Sequence, residues 1–134
     1  MASNLKYSNG TRDAQQNGLI SYAGSGSIIR IYAGSQPANA NTAITTQTLL
    51  VPLVISGTFG TDTNGTITFS TVTNGTAVAT GTASFFRIVK SDGTTVVMDG
   101  SVATSGADMN LNNTSIASGQ TVSISAGTII RANQ

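Results

Sequence analysis

Residues 85–98 read Phe85-Phe86-Arg87-Ile88-Val89-Lys90-Ser91-Asp92-Gly93-Thr94-Thr95-Val96-Val97-Met98. Two runs rich in β-branched and aromatic side chains flank Ser91-Asp92-Gly93, and an Asp-Gly pair tolerates the positive φ that a tight reversal demands. The stretch predicts a β-hairpin, with residues 85–90 and 94–98 as its arms and Gly93 at positive φ. The same grammar recurs outward from it. Residues 27–33, 48–55, 66–71, 76–90, 94–102 and 121–131 are rich in Val, Ile, Thr, Phe and Tyr, and turn clusters separate them. In Thr66-Ile67-Thr68-Phe69 and in Thr121-Val122-Ser123-Ile124-Ser125 apolar and hydroxyl side chains alternate, the period of a half-buried strand. Asn64-Gly65 and Asn74-Gly75 supply two further turn signals. Pro52 has no N–H to give to a central ladder, so its strand belongs at a sheet edge or carries a bulge. The chain is expected to be all-β.

The N-terminal region differs. Residues 8–23 carry Arg12, Asp13, Gln15, Gln16, Leu19, Ile20 and Tyr22, and Leu19, Tyr22 and Ala23 share a helical face. Gly10 and Gly18 would each cost up to about 1 kcal/mol in a helix interior, so this helix requires tertiary support or an assembly. Gly24-Ser25-Gly26-Ser27 then reads as a linker into the sheet. Two parts follow: an arm, helix and linker over residues 1–26, and a β domain over residues 27–134. Residues 34–47 form a long segment with little core material, and such loops commonly touch partners. Arg12 and Tyr22 on the helix and Gln36, Pro37, Asn39 and Asn41 on the loop are the candidate partner-contact residues.

Composition narrows the function. The 134 residues include no His, Cys, Trp or Glu, and only five Asp. General acid–base and covalent catalysis draw mainly on those side chains, so no catalytic, cofactor-binding or metal-ligating residue is assigned and an enzyme is not expected. A net charge of +1, with Lys6, Arg12, Arg30, Arg87, Lys90 and Arg131 scattered along the chain, lacks the clustered basic footprint of a nucleic-acid binder. The longest near-apolar run, residues 49–55, is broken by Pro52 and too short for a membrane helix. No membrane partner is expected. Charged residues make up 8% of the chain, against about 25% in an ordinary domain. Such a hydroxyl- and amide-rich surface loses less on desolvation than an ionic one, which suits packing against neighbours.

Several local patterns resemble sites and are better explained as turns. Asp62-Thr63-Asn64-Gly65 begins like a calcium loop, but the chain has no Glu to close one. Gly24-Ser25-Gly26-Ser27 lacks the Gly-Lys-Ser/Thr ending of a phosphate loop and leads into a strand. Asp99 and Asp108 are expected to be solvated carboxylates rather than an acid–base pair.

Three stretches carry a family likeness: Ile29-Arg30-Ile31-Tyr32-Ala33-Gly34-Ser35-Gln36-Pro37-Ala38; Phe85 through Thr94 as quoted above; and Met98-Asp99-Gly100-Ser101-Val102 with Thr104-Ser105-Gly106-Ala107-Asp108-Met109-Asn110-Leu111-Asn112. Together they resemble a family of small virion proteins of tailed bacteriophages and prophages, over most of the chain. The resemblance implies a short N-terminal helix before a β-rich body, and a capsid decoration, or cement, protein. Such a protein sits on the outer capsid surface as a homo-oligomer, a dimer or trimer, binds the major capsid protein, and is made in the host cytoplasm. Taken with the strand pattern, the expected architecture is an antiparallel β-sandwich of jelly-roll type. A tail or fibre component, contacting a receptor or glycan, is the alternative.

Overall fold

The computed structural model describes residues 6–111 and 113–130. Arg131, Asn112 and the first five residues of the N-terminal arm lie outside the described residues. One helix, α1 (Asn9–Ala23), precedes the strands β1 (Ile28–Ala33), β2 (Thr48–Val54), β3 (Gly60–Thr63), β4 (Thr66–Phe69), β5 (Gly75–Thr76) and β6 (Gly81–Thr82). After them come β7 (Phe85–Val89), β8 (Val96–Ala103), β9 (Met109–Leu111), β10 (Ser115–Ile116), β11 (Thr121–Val122) and β12 (Ile124–Ile130). The fold is mainly β with an N-terminal helix.

Eight strands form one hydrogen-bonded sheet in the order β2-β1-β7-β8-β9-β12-β4-β3, and the sheet curls. β6 pairs with β10, and β5 with β11, in two small ladders. The wholly antiparallel jelly-roll sandwich expected from the sequence is not shown, because β8 and β9 run parallel, with Val102 opposite Met109 and Ala103 opposite Asn110. The intervening loop is closed by Asp108. Its Oδ2 accepts from the Ser101 N–H at 2.9 Å and the Ser101 hydroxyl at 3.1 Å, so the chain re-enters beside β8 with the same polarity.

The quoted hairpin forms as read. β7 and β8 pair antiparallel, Gly93 has φ +77°, its N–H donates to the Lys90 carbonyl at 2.9 Å, and the Lys90 N–H reaches the Thr95 carbonyl at 2.8 Å. Asp92 fastens the reversal by accepting from the Thr94 and Thr95 N–H groups at 2.8 and 2.9 Å. Asn64 and Gly65, at φ +51° and +84°, turn β3 into β4. The backbone twist of two successive positive-φ residues matches that of the flanking strands. Pro52 lies on edge strand β2, where the β1 register also slips between Ile31 and Tyr32.

Asn74-Gly75 is a correction. Gly75 belongs to β5, and a Cβ there would overlap the Pro52 carbonyl, 2.8 Å from side-chain carbons of Leu53 and Val51. Glycine is needed for the close approach of two strands and not for a turn. The 76–90 run likewise breaks into β5, β6 and β7.

Ile29 and Ile31 of β1, Phe86 and Ile88 of β7, and Val51 and Leu53 of β2 point to one side of the sheet and form the centre of the core with Phe59, Ile67, Met109 and Ile116. Helix α1 closes one flank. Ser8 caps it through a 3.2 Å bond from the Thr11 N–H, and Gly24, at φ +71° and ψ −162°, ends it by donating to the Ile20 carbonyl. That conformation is open essentially to glycine alone, so Gly24 is a structural stop as well as part of a linker. The tertiary support that Gly10 and Gly18 make necessary comes from the β3–β4 turn. Gln16, buried, donates Nε2–H to the Gly65 carbonyl at 2.8 Å, and Asp13 accepts the Gly65 N–H at 2.8 Å. Leu19 and Ala23 face the core, whereas Tyr22, which shares their sequence pattern, is 51% exposed.

Candidate functional site

Alternation along β1 sends Ile29 and Ile31 inward and therefore Arg30 and Tyr32 outward. In β7 the same rule sends Phe85, Arg87 and Val89 outward, yet all three are buried. Tyr32 covers Phe85, and a cleft of about 510 Å³ opens on this side of the sheet: Arg30, Tyr32, Arg87 and Val89 form its floor, Thr94 and Val96 one side, and residues 40–44 of the long loop the other. The loop stands in place because its root is pinned. Gln47 donates Nε2–H to the Ser35 carbonyl at 2.7 Å and accepts the Thr45 N–H at 3.1 Å, while the Ser84 hydroxyl donates to the Gly34 carbonyl at 2.5 Å. Asn39 stiffens the tip by accepting from the Asn41 N–H at 2.9 Å and, through its backbone carbonyl, from the Thr42 N–H at 3.1 Å.

The floor is electrostatically uneven. Arg30 and Arg87 are direct cross-strand partners, as are Arg87 and Asp99. Asp99 binds Arg87 with both oxygens, at 2.7 and 2.8 Å, and both side chains are 5% exposed. The hydrogen bonds that Arg87 donates to Asp99 raise its pKa, burial opposes this, and the charges of Asp99 and Tyr32 add to the rise. Asp99 is thus not the solvated carboxylate expected from its Asp-Gly context. Asp108 is exposed, as expected. Arg30 is half-buried, and among the described residues its guanidinium makes no hydrogen bond or ion pair. Tyr32 stacks on Phe85 at 5.2 Å between ring centres, which gives the cleft a rigid aromatic end.

The six residues singled out from the sequence fall in three places. Asn41 lines the cleft. Gln36 and Asn39 are exposed and Pro37 half-buried on the same loop. Arg12 lies on the far flank, bonded to Asn9 Oδ1 at 3.2 Å and packed over Gly65. Tyr22 projects near the hairpin tip, with the Lys90 ammonium 4.1 Å above its ring. Arg30, Arg87 and Asp99 are not among the six. Their only advance signal was Arg30 and Arg87 at alternate positions of apolar strands, where a charge needs a reason.

A second electrostatic feature lies under the helix. Asp62 is half-buried, with Oδ1 sheltered and, among the described residues, without a hydrogen-bond partner. Desolvation first, then the hydrogen bonding and charge of neighbouring Asp13, hold its carboxyl above the ordinary value, against opposing pulls from the Gly65 N–H and Arg12. Asp92 is shifted the other way, well below the ordinary range, chiefly by the Thr95 hydroxyl and the two backbone donors of its turn.

No protein-family model matches the chain, and neither a curated protein nor a solved structure is significantly similar to it.

Proposed function

We propose that this protein is a structural component of a tailed-phage virion that binds the outer capsid shell and stabilises it, as a homo-oligomer on the major capsid protein. The observation that carries this reading is the 34–47 loop: long, largely exposed, free of helix or strand, and anchored at its root by Gln47 and Ser84. A long exposed loop fixed at its root can reach a neighbouring subunit, and its many weak polar contacts can sum across a symmetric shell. The low charge of the chain supports the same reading, as does the sequence resemblance to decoration proteins. We propose with it, as the finer architecture, a jelly-roll type sandwich that departs from antiparallel pairing at β8–β9 and has the β5–β11 and β6–β10 ladders as its second layer.

The test uses particles prepared with and without the protein. Added back at low salt and at several-hundred-millimolar salt, it should occupy the shell to a similar extent, because contacts without net charge are little screened. Binding only the assembled shell should raise the temperature of genome release by mass action. Absence of shell binding, or full occupancy with an unchanged release temperature, defeats the cement reading and favours the tail or fibre alternative.

A further inference from the structure

The Arg30–Arg87 pairing is unfavourable as it stands. Like charges directly opposite on neighbouring strands repel, and Asp99 neutralises only the second of them. Asp92, the carboxylate of the adjoining hairpin, is turned into its own reversal by the Thr94 and Thr95 donors. Among the described residues the cleft therefore keeps one uncompensated positive charge, on a half-buried fork of N–H donors. The fork is also hemmed in: its Nη2 lies 3.3 Å from where a Cβ on Gly93 would stand, so the hairpin turn packs against it.

We infer that this cleft binds a single carboxylate presented by a partner polypeptide, with Arg30 as the anchoring residue. Arg30 offers the paired donors that meet both oxygens of a carboxylate. One net positive charge matches a monoanion, whereas a phosphate dianion would remain half uncompensated. Thr94, Asn41 and Thr42 place polar groups around the cleft, and Tyr32 and Val96 give apolar walls for the methylenes of an acidic side chain. The volume of about 510 Å³ accommodates a side chain with its flanking backbone. This goes beyond the capsid reading and stands apart from it: a peptide can bind the isolated protein whether or not the protein binds a shell.

The experiment titrates the full-length, isotope-labelled protein with acetyl-Ala-Glu-Ala-amide, with acetyl-Ala-Gln-Ala-amide, and with inorganic phosphate, following the Arg30 side-chain and the Asn41, Thr42 and Thr94 backbone resonances. The Glu peptide should give saturable shifts confined to the cleft and bind at least fivefold more tightly than the Gln peptide. In Arg30→Gln that preference should vanish, and Arg30→Lys should restore part of it. Equal response to the two peptides, saturation by phosphate at lower concentration than by the Glu peptide, or an undiminished preference in Arg30→Gln would overturn the proposal. Should Arg30→Gln fail to fold, the comparison of the two peptides on the unaltered protein decides.

Discussion

At the residue scale, the Arg87–Asp99 pair shows how a buried charge is made tolerable. Each ion meets a geometrically matched partner, and neither side chain is more than 5% exposed. Removing one partner strands the other, which in buried pairs costs about 3–5 kcal/mol. Asp99→Asn should therefore lower the urea midpoint by that amount of stability. The double variant Arg87→Met/Asp99→Leu should lose clearly less, since no orphaned charge remains. Equal losses in the two proteins would show that packing, and not the ion pair, sets the cost. Neighbouring Gly100 obeys a different constraint, because a Cβ there would overlap the ring of Phe86, its cross-strand partner. Gly93 is constrained by its φ of +77° and Gly24 by φ +71°, so the linker glycine is no more replaceable than the hairpin glycine.

At the element scale, helix α1 is held less by its own propensity than by the turn it grips. Gln16 and Asp13 satisfy the carbonyl and the N–H of Gly65, so the Asn64-Gly65 reversal and the helix stabilise each other. Asp62 works against this seam at neutral pH. Its folded-state pKa lies above the ordinary 3.8, so the native state favours the protonated form. Its contribution to stability is most favourable below 3.8 and is lost as pH rises through the folded value. Asp62→Asn should thus raise the melting temperature at pH 7 and shift it much less at pH 3, as thermal melts at the two values will show. A larger gain at pH 3 would reverse the sign and refute the assignment. Asp92, depressed by its hydroxyl and backbone donors, contributes in the opposite sense, stabilising above 3.8 and losing that effect progressively below it.

At the scale of the whole molecule, the curled sheet divides the chain into a stiff interior and an adaptable face. β1 lies between β2 and β7, its Ile29 and Ile31 fully buried, while most of the 34–47 loop is exposed and held only at its root and tip. Local opening follows contact density, so the loop should open far more readily than the central strands. Hydrogen exchange on the free protein should find the amides of Ile29, Ile31, Phe86 and Ile88 among the slowest and those of residues 36–44 among the fastest. On particles, protection should rise selectively in residues 36–44. Equal protection of the loop in the free and particle-bound states would remove it from the interface.

Much of the fold was legible because it depends on neighbours in the chain. The Asp92-Gly93 and Asn64-Gly65 reversals, the edge placement of Pro52 and the two-residue alternation of β4 all follow from local φ preferences, missing donors and side-chain period. What lay beyond that reading depends on residues far apart in sequence. Gly75 looks like a turn until the Pro52 carbonyl is placed against it, and Asp99 looks solvated until β7 brings Arg87 alongside. Tyr22 fits a buried helical stripe, yet the helix docked on the β3–β4 turn leaves it exposed, and the parallel β8–β9 pair arises from a loop closed by Asp108. The cleft is of this second kind. Arg30, Arg87 and the loop tip become a site only through strand register and sheet curl, because a strand's own residues set which face each side chain takes but not which strand lies beside it.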